Sequence, residues 1–272
     1  MTAKKTVYSL FMSFLVLSLA ACSSTPSDVA KVSAKEDKKS NEVHTAHWTY
    51  EGKTGPEHWA DLNPEFAACT NGKEQSPINI ETAQVIEGEE IADLAINYKP
   101  TSVTLSNNGH TIQGTPANPD NSIVIDNKEY KLAQFHFHTP SEHQINGQNF
   151  DMELHFVHKD VNGQLAVLGL MIKEGASNPY LEEAWSGIPT EVTTEDVQLT
   201  EPIDIMSLLP KDIDTFRYNG SLTTPPCSEA VKWVVLETPI EMSKEQIDTF
   251  RKIFPDNHRP ILPLNQREVK ED

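Results

Sequence analysis

The stretch Gln134-Phe135-His136-Phe137-His138, answered after a loop by Asp151-Met152-Glu153-Leu154-His155, decides how the chain is read. Side chains two apart on a β-strand point to the same face. His136 and His138 therefore project together while Phe135 and Phe137 face the other way. Glu153 and His155 share a face in the same manner. If the two strands are neighbours, three imidazoles converge on one point. That is the ligand set of a catalytic zinc, with three protein donors and the fourth tetrahedral position left for water. A His-Phe-His pair alone is better read as a half-buried strand with satisfied histidines. The third histidine shifts that balance, because Gln134 and Glu153 are placed to accept from the ring N–H groups, as metal-bound histidines require. Three imidazoles with an open position favour zinc over other divalent metals.

Outward from these segments, strand-like runs dominate: Val103 to Leu105, Ser122 to Ile125, Leu132 to His138, Met152 to His158, Leu165 to Lys173 and Val231 to Leu236. Ala166 to Ile172 is continuously apolar, as suits a strand buried on both faces. Ser243-Lys244-Glu245-Gln246 is a capping box. Ile247, Phe250 and Phe254 then recur at helical spacing before Pro255 stops the helix. Pro179 to Trp185 is a weaker helical signal. The pattern predicts a mainly β domain with a few short helices.

The N-terminus carries an export pattern. Lys4 and Lys5 precede an apolar stretch, Val7 to Leu19, too short for a comfortable membrane span. Leu19-Ala20-Ala21-Cys22 matches a lipobox, so residues 1–21 are expected to be removed and Cys22 to carry lipid. The alternative is an ordinary secretory peptide with Cys22 incidental. Ser23, where an aspartate would resemble an inner-membrane retention signal, points to the outer membrane, facing the periplasm. Residues 22–45 are rich in Ser, Lys, Asp and Glu and cannot bury enough apolar surface to offset ordering, so they form a tether. Residues 46–272 then make one domain. The formal net charge of −18 argues against nucleic acid or an anionic membrane surface as partner, since both need basic patches.

Further motifs stand in order around the histidines: His47-Trp48-Thr49-Tyr50, Gln75-Ser76-Pro77-Ile78-Asn79-Ile80, Asn107-Asn108-Gly109-His110, Ser141-Glu142-His143, Ser221-Leu222-Thr223-Thr224-Pro225-Pro226 and Arg259-Pro260. Together with the histidine segments, their order and spacing resemble the α-class carbonic anhydrases over roughly Ala46 to Arg267. The resemblance implies a large, twisted, mostly antiparallel sheet with zinc at the base of a conical cleft. It implies hydration of carbon dioxide to bicarbonate by zinc-bound hydroxide. In this family the bound water is known to be acidified from about 15.7 to about 7.

Carried over residue by residue, the resemblance makes His136, His138 and His155 the metal ligands. Gln134, the Asn257 carbonyl and Glu153 hold them. Thr223 passes its proton to Glu142 and so orients the attacking oxygen, although Thr-Thr-Pro-Pro alone reads as a turn. Val157, Val167, Leu222, Thr224, Val231 and Trp233 line the substrate pocket, positions that singly read as ordinary core. His110 is the proton shuttle, served by water ordered on Tyr50, Asn108 and Gln113, against the alternative of an exposed turn histidine. His143 braces the loop beside Glu142, and His158 is structural. His44, His47, His58 and His258 are left as surface or packing residues.

If Cys22 carries lipid, Cys69 and Cys227 remain as an even pair in an oxidising compartment. Extracellular members of the family commonly join these positions. Two buried free thiols are the alternative. The chain departs from the best-known animal pattern at Thr139-Pro140 and at His258, which bear on the cleft rim and not on the metal ligands. Two other functions compete: a zinc-buffering lipoprotein, which usually needs a His-rich tract absent here, and a catalytically dead relative, which typically lacks a metal histidine. Ester hydrolysis at the same centre would be a side activity.

Overall fold

In the computed structural model, residues 47–87 and 94–271 are described. The expected signal peptide, Cys22 and the tether lie outside the described residues. Eight long strands carry the architecture: β1 (Val103–Asn107), β2 (Ile112–Pro116), β3 (Ser122–Ile125), β4 (Lys128–His138), β5 (Met152–Lys159), β6 (Leu165–Glu174), β7 (Thr215–Ser221) and β8 (Glu229–Met242), followed by the short β9 (Lys270–Glu271). They pair in the order β1-β2-β4-β5-β6-β8-β7-β9, with β3 alongside β4. Val197–Gln198 flanks β1 at one edge and Ile86–Glu87 flanks β9 at the other. Within this sheet, among the described residues, only β6–β8 and the pairing of Ile86–Glu87 with β9 are parallel, so it is mostly antiparallel, as expected.

The six strands read from the sequence all form, and each but β3 runs longer than its apolar core. β6 is buried from Ala166 to Ile172, because its alternate side chains pack into two apolar clusters, one on each face of the sheet. The helix Lys244–Ile253 begins with the capping box at Ser243 and Gln246. The Pro179–Trp185 segment divides instead. A 3₁₀ turn at Pro179–Leu181, capped by the Asn178 side chain, runs into the helix Glu182–Ser186.

Alternation along the strands splits the apolar residues between two clusters. Phe135, Phe137, Leu154, Phe156, Leu168, Leu170, Val234 and Leu236 pack under the helix Lys244–Ile253 with Ile247 and Phe250. Val167, Met171, Val231, Trp233 and Val235 form the second cluster on the opposite face. That second face carries the histidines.

One irregularity sets which way they point. Pairing of β4 with β5 shifts between Leu132 and Gln134, so Ala133 is an extra residue. Before it, Tyr130 and Leu132 are the core residues; after it, Phe135 and Phe137 are. The bulge reverses the parity of the strand and turns Gln134, His136 and His138 out of the core together. On the neighbouring strand, Gly114 of β2 leaves room for Phe135, whose ring lies 2.2 Å from where a Cβ would stand.

Candidate metal centre

Register alone assembles the site. His136 of β4 lies directly opposite His155 of β5, and His138 lies opposite Glu153. On β6, Gly169 is the partner of His155, and a Cβ there would stand 3.2 Å from the Glu153 carboxylate. The next row runs Gln134, Val157, Val167 and Trp233 across four strands. Direct partners share a face, so an apolar wall stands immediately beside the three imidazoles.

Each imidazole donates one ring N–H outward. His136 Nδ1–H donates to Gln134 Oε1 at 2.8 Å, and His138 Nδ1–H to the Asn257 carbonyl at 2.7 Å. His155 Nε2–H donates to Glu153 Oε1 at 2.8 Å. Nε2 of His136, Nε2 of His138 and Nδ1 of His155 therefore carry the lone pairs that remain. Within this trio each ring offers a ligand atom within 4.8 Å of the others. His138 is fully buried, yet its Nε2 has no hydrogen-bond partner. A buried imidazole nitrogen left unpaired is costly unless something else fills its lone pair. A small cation that takes nitrogen donors fits these residues, and zinc fits best.

His143, Glu153 and His155 also lie close enough to hold an ion. His143 has no nitrogen to spare, however. Its Nδ1–H donates to Glu153 at 2.8 Å and its Nε2 accepts from the Tyr218 hydroxyl at 2.7 Å. Glu153 also accepts main-chain N–H groups of Glu142 and His143, at 2.9 Å each. It thus ties the loop carrying Glu142 to the strand carrying His155. This second duty of Glu153, and the Tyr218–Ser76 link behind it at 2.8 Å, were not legible in the sequence, because the partners come from distant segments.

Electrostatics follows burial. Burial lowers all three imidazoles, and their mutual proximity adds to it at His136; His138 falls to about 4. They are neutral at pH 7, the state a metal needs. Burial pushes Glu153 up, but His143 and His155 outweigh it and carry the acid well below the usual carboxylate range. Glu142 stays raised by burial, against the pull of His155, of the Thr223 hydroxyl and of the Arg259 N–H, which donates at 2.8 Å. Glu142 Oε2 lies 3.5 Å from His138 Nε2 and 3.9 Å from His155 Nδ1, with no strict hydrogen bond of its own.

Val167, Val231 and Trp233 are buried in the second cluster, with Val157 and Leu222 packed against it. Trp233 stands edge-on to His155 at 4.9 Å between ring centroids. Thr223 is buried, and Thr224 accepts the Cys227 N–H at 2.9 Å through its carbonyl. Cys227 is bonded to Cys69, so the disulfide adjoins the Thr223-Thr224 loop. Gln113 is the cross-strand partner of His136 on the side away from β5. His110 stacks on Trp48 at 3.6 Å and has His47 at 6.2 Å; burial and then His47 lower its pKa. The Asn108 amide oxygen accepts the His110 and Thr111 N–H groups, so it shapes the turn that presents His110. Tyr50 is raised well above its ordinary pKa by burial and then by the charges of Glu142 and Asp256.

Comparison with known proteins agrees with this geometry. The family model for eukaryotic-type carbonic anhydrases matches residues 54–272. The carbonic anhydrase of Pectobacterium carotovorum is 45% identical over 227 residues, covering 83% of this chain and 91% of its own. That of Neisseria gonorrhoeae is 44% identical over 229 residues, covering 84% and 88%. The α-carbonic anhydrase of Thermovibrio ammonificans, solved with the inhibitor sulfanilamide, superposes with a TM-score of 0.80. It is 47% identical and covers 83% of this chain and 99% of its own. The chain belongs to the eukaryotic-type carbonic anhydrase family, and its activity is that of the family's enzymes, the hydration of carbon dioxide.

Proposed function

We propose that this hydration runs at a single zinc ion held by His136, His138 and His155, with the released proton leaving through His110. The observation that carries the reading is the set of three ring nitrogens whose lone pairs converge while every opposite N–H is already donated. Bound there, zinc supplies a water acidified to near-neutral pH and so available as hydroxide.

The chain's own residues do the rest. Gln134, Asn257 and Glu153 fix the tautomers and keep the imidazoles neutral. Thr223 turns its hydroxyl proton toward Glu142, which leaves an oxygen lone pair facing the cleft and orients the attacking oxygen. Val157, Val167, Leu222, Val231 and Trp233, with Thr224 at the edge, exclude water and accept the uncharged substrate. His110 takes the proton at the cleft mouth and passes it to buffer. Tyr50, Asn108 and Gln113 order the water between. Carbon dioxide and water yield bicarbonate and one proton per turnover.

The protein acts outside the cytoplasm, anchored through lipid on Cys22 with residues 22–45 as tether. The lipobox sequence supports this reading. Mass spectrometry of the N-terminal peptide from membranes should find Cys22 acylated; a free, unmodified Cys22 in a soluble fraction rejects it.

The decisive experiment is stopped-flow carbon dioxide hydration with metal content measured on the same sample. Fast hydration at about one zinc per chain, lost on chelation and restored by zinc, is expected. Stoichiometric zinc without hydration would overturn the reading in favour of zinc storage.

A further inference from the structure

Taking His110 as the proton shuttle proposed above, we propose that the Asn257 side chain is a positioning residue for proton transfer. It fastens the turn of His110 to the strand segment around His138, and so fixes the length of the path the proton crosses. Its carbonyl serves His138, as described; the side chain has this separate duty.

Asn257 is fully buried, and both ends of its amide are used. Nδ2 donates to the His110 carbonyl at 3.0 Å and to the Phe137 carbonyl at 2.9 Å, while Oδ1 accepts the Thr139 N–H at 2.7 Å. These partners determine which way the amide points. Turned over, its oxygen would face two carbonyls and its nitrogen an N–H. Phe137 and Thr139 flank His138 in the sequence. One planar group therefore joins the His110 turn to the backbone on both sides of His138, across 147 residues of sequence.

The other bonds of the turn act differently. Asn107 Oδ1 accepts the Gly109 N–H at 3.0 Å, and Asn108 Oδ1 accepts those of His110 and Thr111. They give the turn its shape but reach nothing beyond it. Gly109, at φ +85°, lends the turn little stiffness of its own. The Thr111 hydroxyl supplies a second tie outward, donating to the same Phe137 carbonyl at 2.6 Å. The His110 ring is steadied by its stack on Trp48, so backbone and ring are held from separate sides. Transfer through ordered water depends steeply on the spacing of its end groups, and a misplacement of about 1 Å can cost about 100-fold.

Asn257→Ala separates the two duties. It removes the side chain and keeps the carbonyl, whose residue stays anchored by its own N–H donating to the Thr139 carbonyl at 3.1 Å. Zinc content and kcat/KM should match wild type, while kcat should fall about tenfold and recover in imidazole buffer. On a His110→Ala background the same change should lower kcat no further. NMR of the zinc-loaded protein gives a reading independent of turnover. The His110 ring protons, shifted upfield by Trp48 and identified by their absence in His110→Ala, should move toward ordinary values in Asn257→Ala. Additive loss of kcat in the double variant overturns the proposal, as do unchanged ring shifts in Asn257→Ala. If Asn257→Ala does not fold, Thr111→Val releases the second tie and should lower kcat, and Thr111→Ser, which keeps the hydroxyl, should restore it; equal kcat in these two overturns the proposal. Full kcat in His110→Ala rejects the shuttle and this inference with it. A slow His110→Ala beside a fast Asn257→Ala rejects the inference alone.

Discussion

His155 turns Nδ1 inward where His136 and His138 turn Nε2, and the difference follows from where each ring finds its acceptor. Gln134 is half-buried and serves His136 alone, so Gln134→Ala should leave the fold intact and weaken zinc by about tenfold, read by competition with a chelator. As the proposed shuttle, His110 would touch the chemistry only through the proton. His110→Ala should therefore lower kcat while leaving kcat/KM nearly unchanged, with imidazole buffer restoring it; equal loss in both rejects the shuttle. His158 is a different kind of histidine. Buried, with its Nε2 2.7 Å from the Tyr98 hydroxyl, it is held by burial at a pKa of about 3. The unfolded chain, with a value near 6.5, binds more protons between those limits, so stability rises with pH across that window. The contribution is full above pH 6.5 and is lost as pH falls toward 3, with roughly 5 kcal/mol as its upper size. Urea unfolding of His158→Gln between pH 4 and 7 should show a flatter pH dependence than wild type. The metal trio was legible because strand periodicity acts over two residues. The roles of Tyr218 and Ser76 were not, since nothing local joins them to His143.

At the scale of elements, the strand that carries two of the three converging histidines presents them only because it is broken. A regular β4 would place Tyr130 and Leu132 on the same face as His136 and His138. The bulge at Ala133 puts the first pair in the core and the second in the cleft. Alternation in the sequence predicts the histidine half of β4 correctly, yet carries no mark of the reversal, because a bulge is a property of two paired strands. The close approach of β2 depends on Gly114. Gly114→Ala should cost about 1–3 kcal/mol by forcing the Phe135 ring aside, measured as a lower urea midpoint with unchanged m. A neutral result would show that Phe135 has room to move. The helix Lys244–Ile253 was legible to the residue at its start, since a capping box is purely local. The Pro179 segment was read as one helix and is two turns of different kind, a distinction decided by packing of Leu181 and Ala184 into the core.

Across the whole molecule, the Cys69–Cys227 bridge closes a span of 158 residues and joins the N-terminal segment to the loop of Thr223. The buried Arg259 reinforces the same junction. Its guanidinium donates to the carbonyls of Cys69 and Ser76 while its main-chain N–H holds Glu142. In the chain-entropy view, removing the bridge destabilises by about 5 kcal/mol at most. Cys69→Ser/Cys227→Ser should lower the urea midpoint and reduce hydration through the Thr223 loop, while zinc stoichiometry persists. Unchanged activity at full occupancy would separate the bridge from catalysis. By itself the sequence determined the trio of candidate metal histidines, the strand character of the segments bearing it, the capped helix and the family, because periodicity, capping and motif order are recorded in neighbouring residues. The tertiary structure decided the face each histidine takes, the nitrogen it turns inward and the shared duties of Glu153. Those depend on the register between strands far apart in the chain, and register is settled only when the whole sheet packs.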